Sequence, residues 1–148
     1  MMNNKETHPL FLVFMIMAML ALGKASIAET DTAIEETQVI KNVSPQEAHV
    51  LIEKNNKNPD FVILDVRTPE EFSEGHIEDA VNLDFYSDNF EEELEKLDKN
   101  KTYVTHCRSG SRSAKTLNLM KELGFKEAYN ITGGIVQWES EGLPTTKE

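Results

Sequence analysis

Between residues 38 and 145 the chain alternates short β-rich runs with stretches patterned as helices, and nothing else limits its fold so strongly. VIKNV leads into SPQEAHVLIEK, FVILDV into TPEEFSEG, AVNLDF into NFEEELEKL, TYVTH into SRSAKTLNLMKELG, and EAYNI into GGIVQWESEG. Five such pairs predict one α/β domain built on a mainly parallel five-stranded sheet flanked by helices. The run Phe61-Val62-Ile63-Leu64 is continuously apolar, as a central strand covered on both faces must be. Ser44-Pro45-Gln46-Glu47 and Thr68-Pro69-Glu70-Glu71 each place a capping hydroxyl, a proline at the first helical position and a glutamate that can reach back, so each opens a helix. Ala114, Leu117, Leu119, Met120 and Leu123 form an apolar stripe at helical spacing, and Gly124 ends it.

The first 37 residues do not share this pattern. Residues 10–22 are an apolar run of thirteen behind a short polar start containing Lys5, followed by small residues, Ser26 and Ala28, spaced like a cleavage signal. A membrane-spanning helix needs about 20 apolar residues. The run therefore reads as a secretory signal peptide over residues 1–28, cut after Ala28, with the mature protein periplasmic or secreted and not held in the membrane. An uncleaved signal-anchor is the alternative. Residues 29–37, ETDTAIEET, are acidic and poor in large apolar side chains, and are expected to be a flexible leader to the domain at 38–145. Taking Lys5, Lys24 and Glu6 from the 15 basic and 26 acidic side chains leaves 13 and 25, a mature net charge near −12. A nucleic-acid partner is not expected, because phosphate binding needs a basic footprint.

One cysteine is present, Cys107. It cannot close an intramolecular disulfide, so it is a buried filler, half of an intermolecular bridge, or a reactive thiol. It follows Tyr103-Val104-Thr105-His106, at the carboxyl end of a strand, where open parallel sheets bind ligands. The segment Arg108-Ser109-Gly110-Ser111-Arg112 is short and polar and has the glycine a tight bend needs. Its backbone N–H groups, with the positive end of the helix behind them, can form an anion cradle. A thiol in such a cradle loses its proton below the ordinary value of about 8.5. A core-filling cysteine has no use for two arginines within five residues, and the planar fork of Arg suits oxyanions. Anion contact is expected for at least one of Arg108 and Arg112; solvated surface charge is the alternative. His106 must point to the face opposite Cys107 and is read as packing or surface. His49 and His76 lack neighbouring His or Cys, so no metal and no other cofactor is expected.

Three segments carry a resemblance. They are Ile63-Leu64-Asp65-Val66-Arg67 with Pro69-Glu70-Glu71-Phe72 and Gly75-His76-Ile77; the loop Cys107-Arg108-Ser109-Gly110-Ser111-Arg112-Ser113; and Thr132-Gly133-Gly134-Ile135-Val136-Gln137-Trp138. In this order and spacing they resemble the single-domain rhodaneses, exported type, a family of sulfurtransferases with a three-layer α/β fold. The resemblance implies that Cys107 takes a sulfane sulfur from thiosulfate or a persulfide or polysulfide, holds it as a persulfide, and gives it to cyanide or a thiol. It implies that Arg108, Ser109, Gly110, Ser111 and Arg112 bind the small anionic donor. Asp65 and Arg67 match a family pair that either supports the loop or is a structural ion pair. Similar phosphatase and arsenate-reductase domains place five residues between cysteine and arginine, whereas four separate Cys107 from Arg112, a ring that favours sulfur over phosphate. Ser109 and Ser111 stand where efficient thiosulfate users carry more basic side chains, which leaves a persulfide or polysulfide donor open. A sulfur carrier that works with a partner protein and turns over little alone is the competing reading.

Overall fold

The computed structural model describes residues 37–147. The expected signal peptide, its cut after Ala28 and all but the last residue of the leader lie outside the described residues.

The elements alternate throughout: β1 (Val39–Val43), α1 (Pro45–Lys54), β2 (Phe61–Asp65), α2 (Pro69–Glu74), β3 (Val81–Asn82), α3 (Phe90–Glu95), β4 (Thr102–His106), α4 (Ser111–Glu122), β5 (Glu127–Ile131) and α5 (Gly134–Ser140). The strands form one five-stranded sheet in the order β1-β5-β4-β2-β3, and every pair is parallel. The sheet is thus wholly parallel, as helical crossovers between successive strands require.

Alternation along the strands divides the core into two layers. Leu64, Tyr103 and Ala128 pack with Phe90, Leu94, Leu117, Met120 and Phe125, beneath α3 and α4. Their chain neighbours Ile63, Val104 and Tyr129 face the other way, onto Ala48 of α1 and Trp138 of α5. Trp138 is fully buried, and its indole N–H donates to the Pro144 carbonyl at 2.9 Å. Past α5 the tail pairs with the body through Thr146, which exchanges backbone hydrogen bonds of 2.8 Å with His76.

Both proline-led helix starts carry complete capping boxes. The Ser44 N–H donates to Glu47 at 2.8 Å and the Thr68 N–H to Glu71 at 3.1 Å, while each hydroxyl accepts the glutamate's own N–H. Gly124 closes α4 in a left-handed conformation, with the Phe125 N–H bonded to the Met120 carbonyl at 3.0 Å.

Two expectations change in detail. The β-rich run AVNLDF shortens to Val81–Asn82. The Asn82 side-chain amide takes the Asp65 and Arg67 carbonyls at 3.0 and 2.9 Å, and the chain then turns inward to set Phe85 against Phe90. On α4 the buried face is Ser113, Thr116, Leu117 and Met120, while Ala114, Leu119 and Leu123 are half-buried. Two hydroxyl residues sit in that face because both are satisfied: Thr116 donates to the Arg112 carbonyl at 3.0 Å, and Ser113 faces the cysteine.

Candidate active site

β4 ends at His106, and the chain passes through Cys107, Arg108, Ser109 and Gly110 into α4. Gly110 has φ +92°, a conformation that an L side chain rarely adopts, and a Cβ there would lie 3.1 Å from the Gly133 nitrogen. This bend lets the chain fold back over the cysteine. The Gly110 N–H donates to Cys107 Sγ at 3.1 Å, and the Ser113 hydroxyl donates to it at 3.4 Å.

Cys107 is buried, with 1% of its surface exposed. Burial pushes its thiol up, but hydrogen bonds from the Ser113 hydroxyl and backbone, Ser109 and Gly110 outweigh that effect, so the thiol titrates below its ordinary value. These donors stabilise the thiolate, which is the nucleophilic form of the side chain.

The first turn of α5 fixes the loop from outside. The Ile135 N–H donates to the Cys107 carbonyl at 2.9 Å, and the Val136 N–H donates to the Arg108 carbonyl at 3.2 Å. In a trans peptide N–H and C=O point in opposite directions, and no described peptide bond is cis. With these two carbonyls turned toward α5, the N–H groups of Arg108 and Ser109 are turned away from it, and the Ser109 N–H is among the donors that act on the sulfur. Gly134 makes this approach possible: at φ +59°, a Cβ on it would run into the Cys107 carbonyl oxygen and lie 2.6 Å from the Arg108 carbonyl carbon.

The two arginines differ. Arg108 is exposed, and among the described residues no hydrogen bond or ion pair holds its side chain. Arg112 is half-buried and forms a bidentate pair with Glu71, Nη1 to Oε2 at 2.7 Å and Nη2 to Oε1 at 2.8 Å. The Arg112 guanidinium, aided by the Thr68 N–H, holds the Glu71 carboxyl down at about 2. The Tyr86 ring, on the connection from β3 to α3, lies 5.3 Å from the Arg112 guanidinium carbon. Ser109 and Ser111 are exposed beside Arg108.

Asp65 and Arg67 are both buried and paired at 2.6 Å. Arg67 also donates to the Gly75 carbonyl at 2.7 Å, so the pair closes the corner between β2 and α2. These are the contacts of a structural ion pair, and neither side chain hydrogen-bonds to a residue of the 107–113 loop. His106 is fully buried on the face opposite Cys107, with Nε2 3.4 Å from Asp65 Oδ2. Neither ring nitrogen has a hydrogen-bond partner, and burial lowers its pKa. We therefore read it as a neutral ring, with the Asp65 charge balanced by Arg67. Among the described residues no cluster of His, Cys, Asp or Glu is arranged to hold a metal.

Ser113, Glu71, Tyr86 and the Gly133-Gly134 pair carry geometry that sequence reasoning did not assign. The sequence assigns Glu71 a capping role, whereas its carboxylate serves the cap and Arg112 together. Two glycines in succession before a helix were the signal for the close approach of α5.

Residues 44–141 match the model of the rhodanese-like domain. The chain is 40% identical over 94 residues to YtwF of Bacillus subtilis (strain 168), a protein provisionally named a sulfurtransferase; the match spans 64% of this chain and 88% of that one. It is 33% identical over 121 residues to thiosulfate sulfurtransferase 16, chloroplastic, of Arabidopsis thaliana, spanning 75% of this chain and 97% of the relative. Among solved structures, the rhodanese-related protein of Thermoplasma volcanium superposes with a TM-score of 0.61 at 28% identity, covering 73% of this chain and 99% of that one. With its parallel sheet, its cysteine loop and these likenesses together, the chain belongs to the rhodanese-like domain family.

Proposed function

We propose that the protein is an exported sulfurtransferase that carries sulfur as a Cys107 persulfide. The observation behind this reading is the convergence of the Gly110 N–H and the Ser113 hydroxyl on a buried sulfur at the end of β4. Relatives named as sulfurtransferases support the reaction class.

The Cys107 thiolate attacks the outer sulfur of a donor. With thiosulfate the S–S bond breaks, sulfite leaves with the electron pair, and Cys107 retains a persulfide anion. The loop N–H groups and Ser113 then stabilise that anion as they stabilise the thiolate. Cyanide or a thiolate attacks the outer sulfur in turn and regenerates the Cys107 thiolate. In this reading Arg108, Ser109, Gly110, Ser111 and Arg112 surround the donor, and Asp65 with Arg67 holds the neighbouring corner. Export rests on the apolar run and small-residue site ahead of Glu29.

The test is thiocyanate formation from thiosulfate and cyanide by residues 29–148, with Cys107→Ser in parallel. Turnover lost in the variant, together with a mass gain of one sulfur on the wild-type protein after donor treatment, is the expected result. Sulfur loading without turnover would instead favour the carrier reading. Export is checked by the amino-terminal residue of protein recovered from the native host, expected to be Glu29.

A further inference from the structure

The Glu71–Arg112 pair changes the charge at the mouth of the cysteine loop. Of the two guanidinium groups in that loop, the Arg112 charge is met by a carboxylate at 2.7 and 2.8 Å, and only the Arg108 charge is left uncompensated. Glu71 cannot easily swing aside, because its Oε2 also accepts the Thr68 N–H that starts α2. Arg112 is confined on its other side by the Tyr86 ring. It also lies in the first turn of α4, next to Ser113, whose hydroxyl reaches Cys107 Sγ at 3.4 Å. A dianion approaching the sulfur therefore meets one free cation and one that is already neutralised. The exposed Tyr86 ring beside it, two-thirds open to solvent at 67%, offers carbon surface.

We propose that Glu71 is a specificity-determining residue: by neutralising Arg112 it tunes the Cys107 site toward neutral or singly charged organic persulfides and away from dianionic thiosulfate. This rests on the sulfurtransferase reading and names its donor class. In the step, the Cys107 thiolate attacks the outer sulfur of R–S–SH, and the S–S bond breaks. The electron pair leaves on RS⁻, and Cys107–S–SH keeps the proton. No oxidant or reductant is needed.

Two alkylating agents of similar size read the charge at the mouth without any turnover. Iodoacetate is an anion and iodoacetamide is neutral, so the ratio of their rates on Cys107 cancels changes in thiol reactivity. Gln can keep the capping box at position 71. Glu71→Gln should therefore fold while freeing the Arg112 charge, and the iodoacetate-to-iodoacetamide ratio should rise at least about twofold, as Coulomb's law gives for one unit charge uncovered within about ten ångströms of the reacting anion even at a water-like dielectric. Arg112→Gln, which leaves Glu71 bare, should lower the ratio, so the proposal stays testable if Glu71→Gln does not fold. The double variant should return to the wild-type ratio.

Turnover supplies the second readout, with thiosulfate and the persulfide of 2-mercaptoethanol as donors. The wild-type protein should have the higher kcat/KM with the persulfide, and Glu71→Gln should shift the preference toward thiosulfate. A ratio of alkylation rates that moves less than twofold in both single variants overturns the role of Glu71. So does a wild-type preference for thiosulfate. Absence of turnover with either donor, while the alkylation ratio still responds, overturns the sulfurtransferase reading and the donor assignment built on it.

Discussion

The Ile135 N–H holds the Cys107 carbonyl at 2.9 Å, so the first turn of α5 acts as the outer clamp of the cysteine loop. Its amides bond to loop carbonyls instead of to a ligand, and this leaves the amides of the loop itself to face the sulfur. The site therefore depends on two segments far apart in the chain, one carrying the cysteine and the other setting the orientation of its peptides.

Gly134→Ala tests the clamp. The substitution places a Cβ against the Cys107 and Arg108 carbonyls at a positive φ. Strain of this kind costs about 1–3 kcal/mol. Urea denaturation should show that loss, and iodoacetamide should react more slowly with Cys107 in the folded protein as the loop amides turn off the sulfur.

Ser113→Ala removes one of the donors that hold the thiolate. The Cys107 titration should move up, toward the ordinary thiol range, because burial then meets less opposition. Alkylation at neutral pH should slow by about tenfold, equivalent to losing a charge-assisted hydrogen bond worth about 1.5 kcal/mol. Thiolate absorbance followed against pH checks the direction, and Ser113→Thr should recover most of the rate.

The Glu71 carboxyl is held down from 4.5 to about 2 by Arg112, so the pair stabilises the fold above the unfolded-state value and loses that contribution as pH falls through the folded one. The window lies between about pH 4.5 and about pH 2. With solvent screening of a partly exposed pair, the contribution is about 1–3 kcal/mol. Glu71→Gln should be less stable than wild type by that amount at pH 7, and the two denaturation curves should converge near the lower end of the window. A difference that persists undiminished there would show that the pair is not its source.

Arg67→Ala leaves the Asp65 carboxylate buried without its partner. Breaking such a pair costs about 3–5 kcal/mol. Thermal and urea denaturation should both show a loss of that size, whereas replacing both residues, Asp65→Leu with Arg67→Met, should cost less than Arg67→Ala alone.

Much of the fold follows from local chemistry that any short window of the sequence contains. The two-residue period of the backbone in Phe61–Asp65 and Thr102–His106 settles which residues share a face, and opposite faces for Cys107 and His106 follow from the same rule. The capping boxes at Ser44 and Thr68 need only residues within one turn, and both form. The cysteine at a strand end, followed by a glycine bend and a helix, is legible for the same reason: strand, bend and helix are contiguous.

What tertiary structure alone decided involves residues distant in the chain. The sequence leaves Arg112 between anion contact and solvated surface charge, and it meets Glu71 only because α2 and the start of α4 come together. The need for glycine at 134 does not show in its own window, since the carbonyls it accommodates belong to Cys107 and Arg108. Asp65 and Arg67 sit two residues apart, yet only the Gly75 carbonyl and their complete burial show that they secure the β2 corner. Sequence by itself determined the alternation, the helix starts and the place of the cysteine at a strand end, because those depend on backbone geometry over a few residues. The charge at the mouth of the site and the orientation of its amides depend on which distant groups the parallel sheet brings together, and only the assembled fold could decide them.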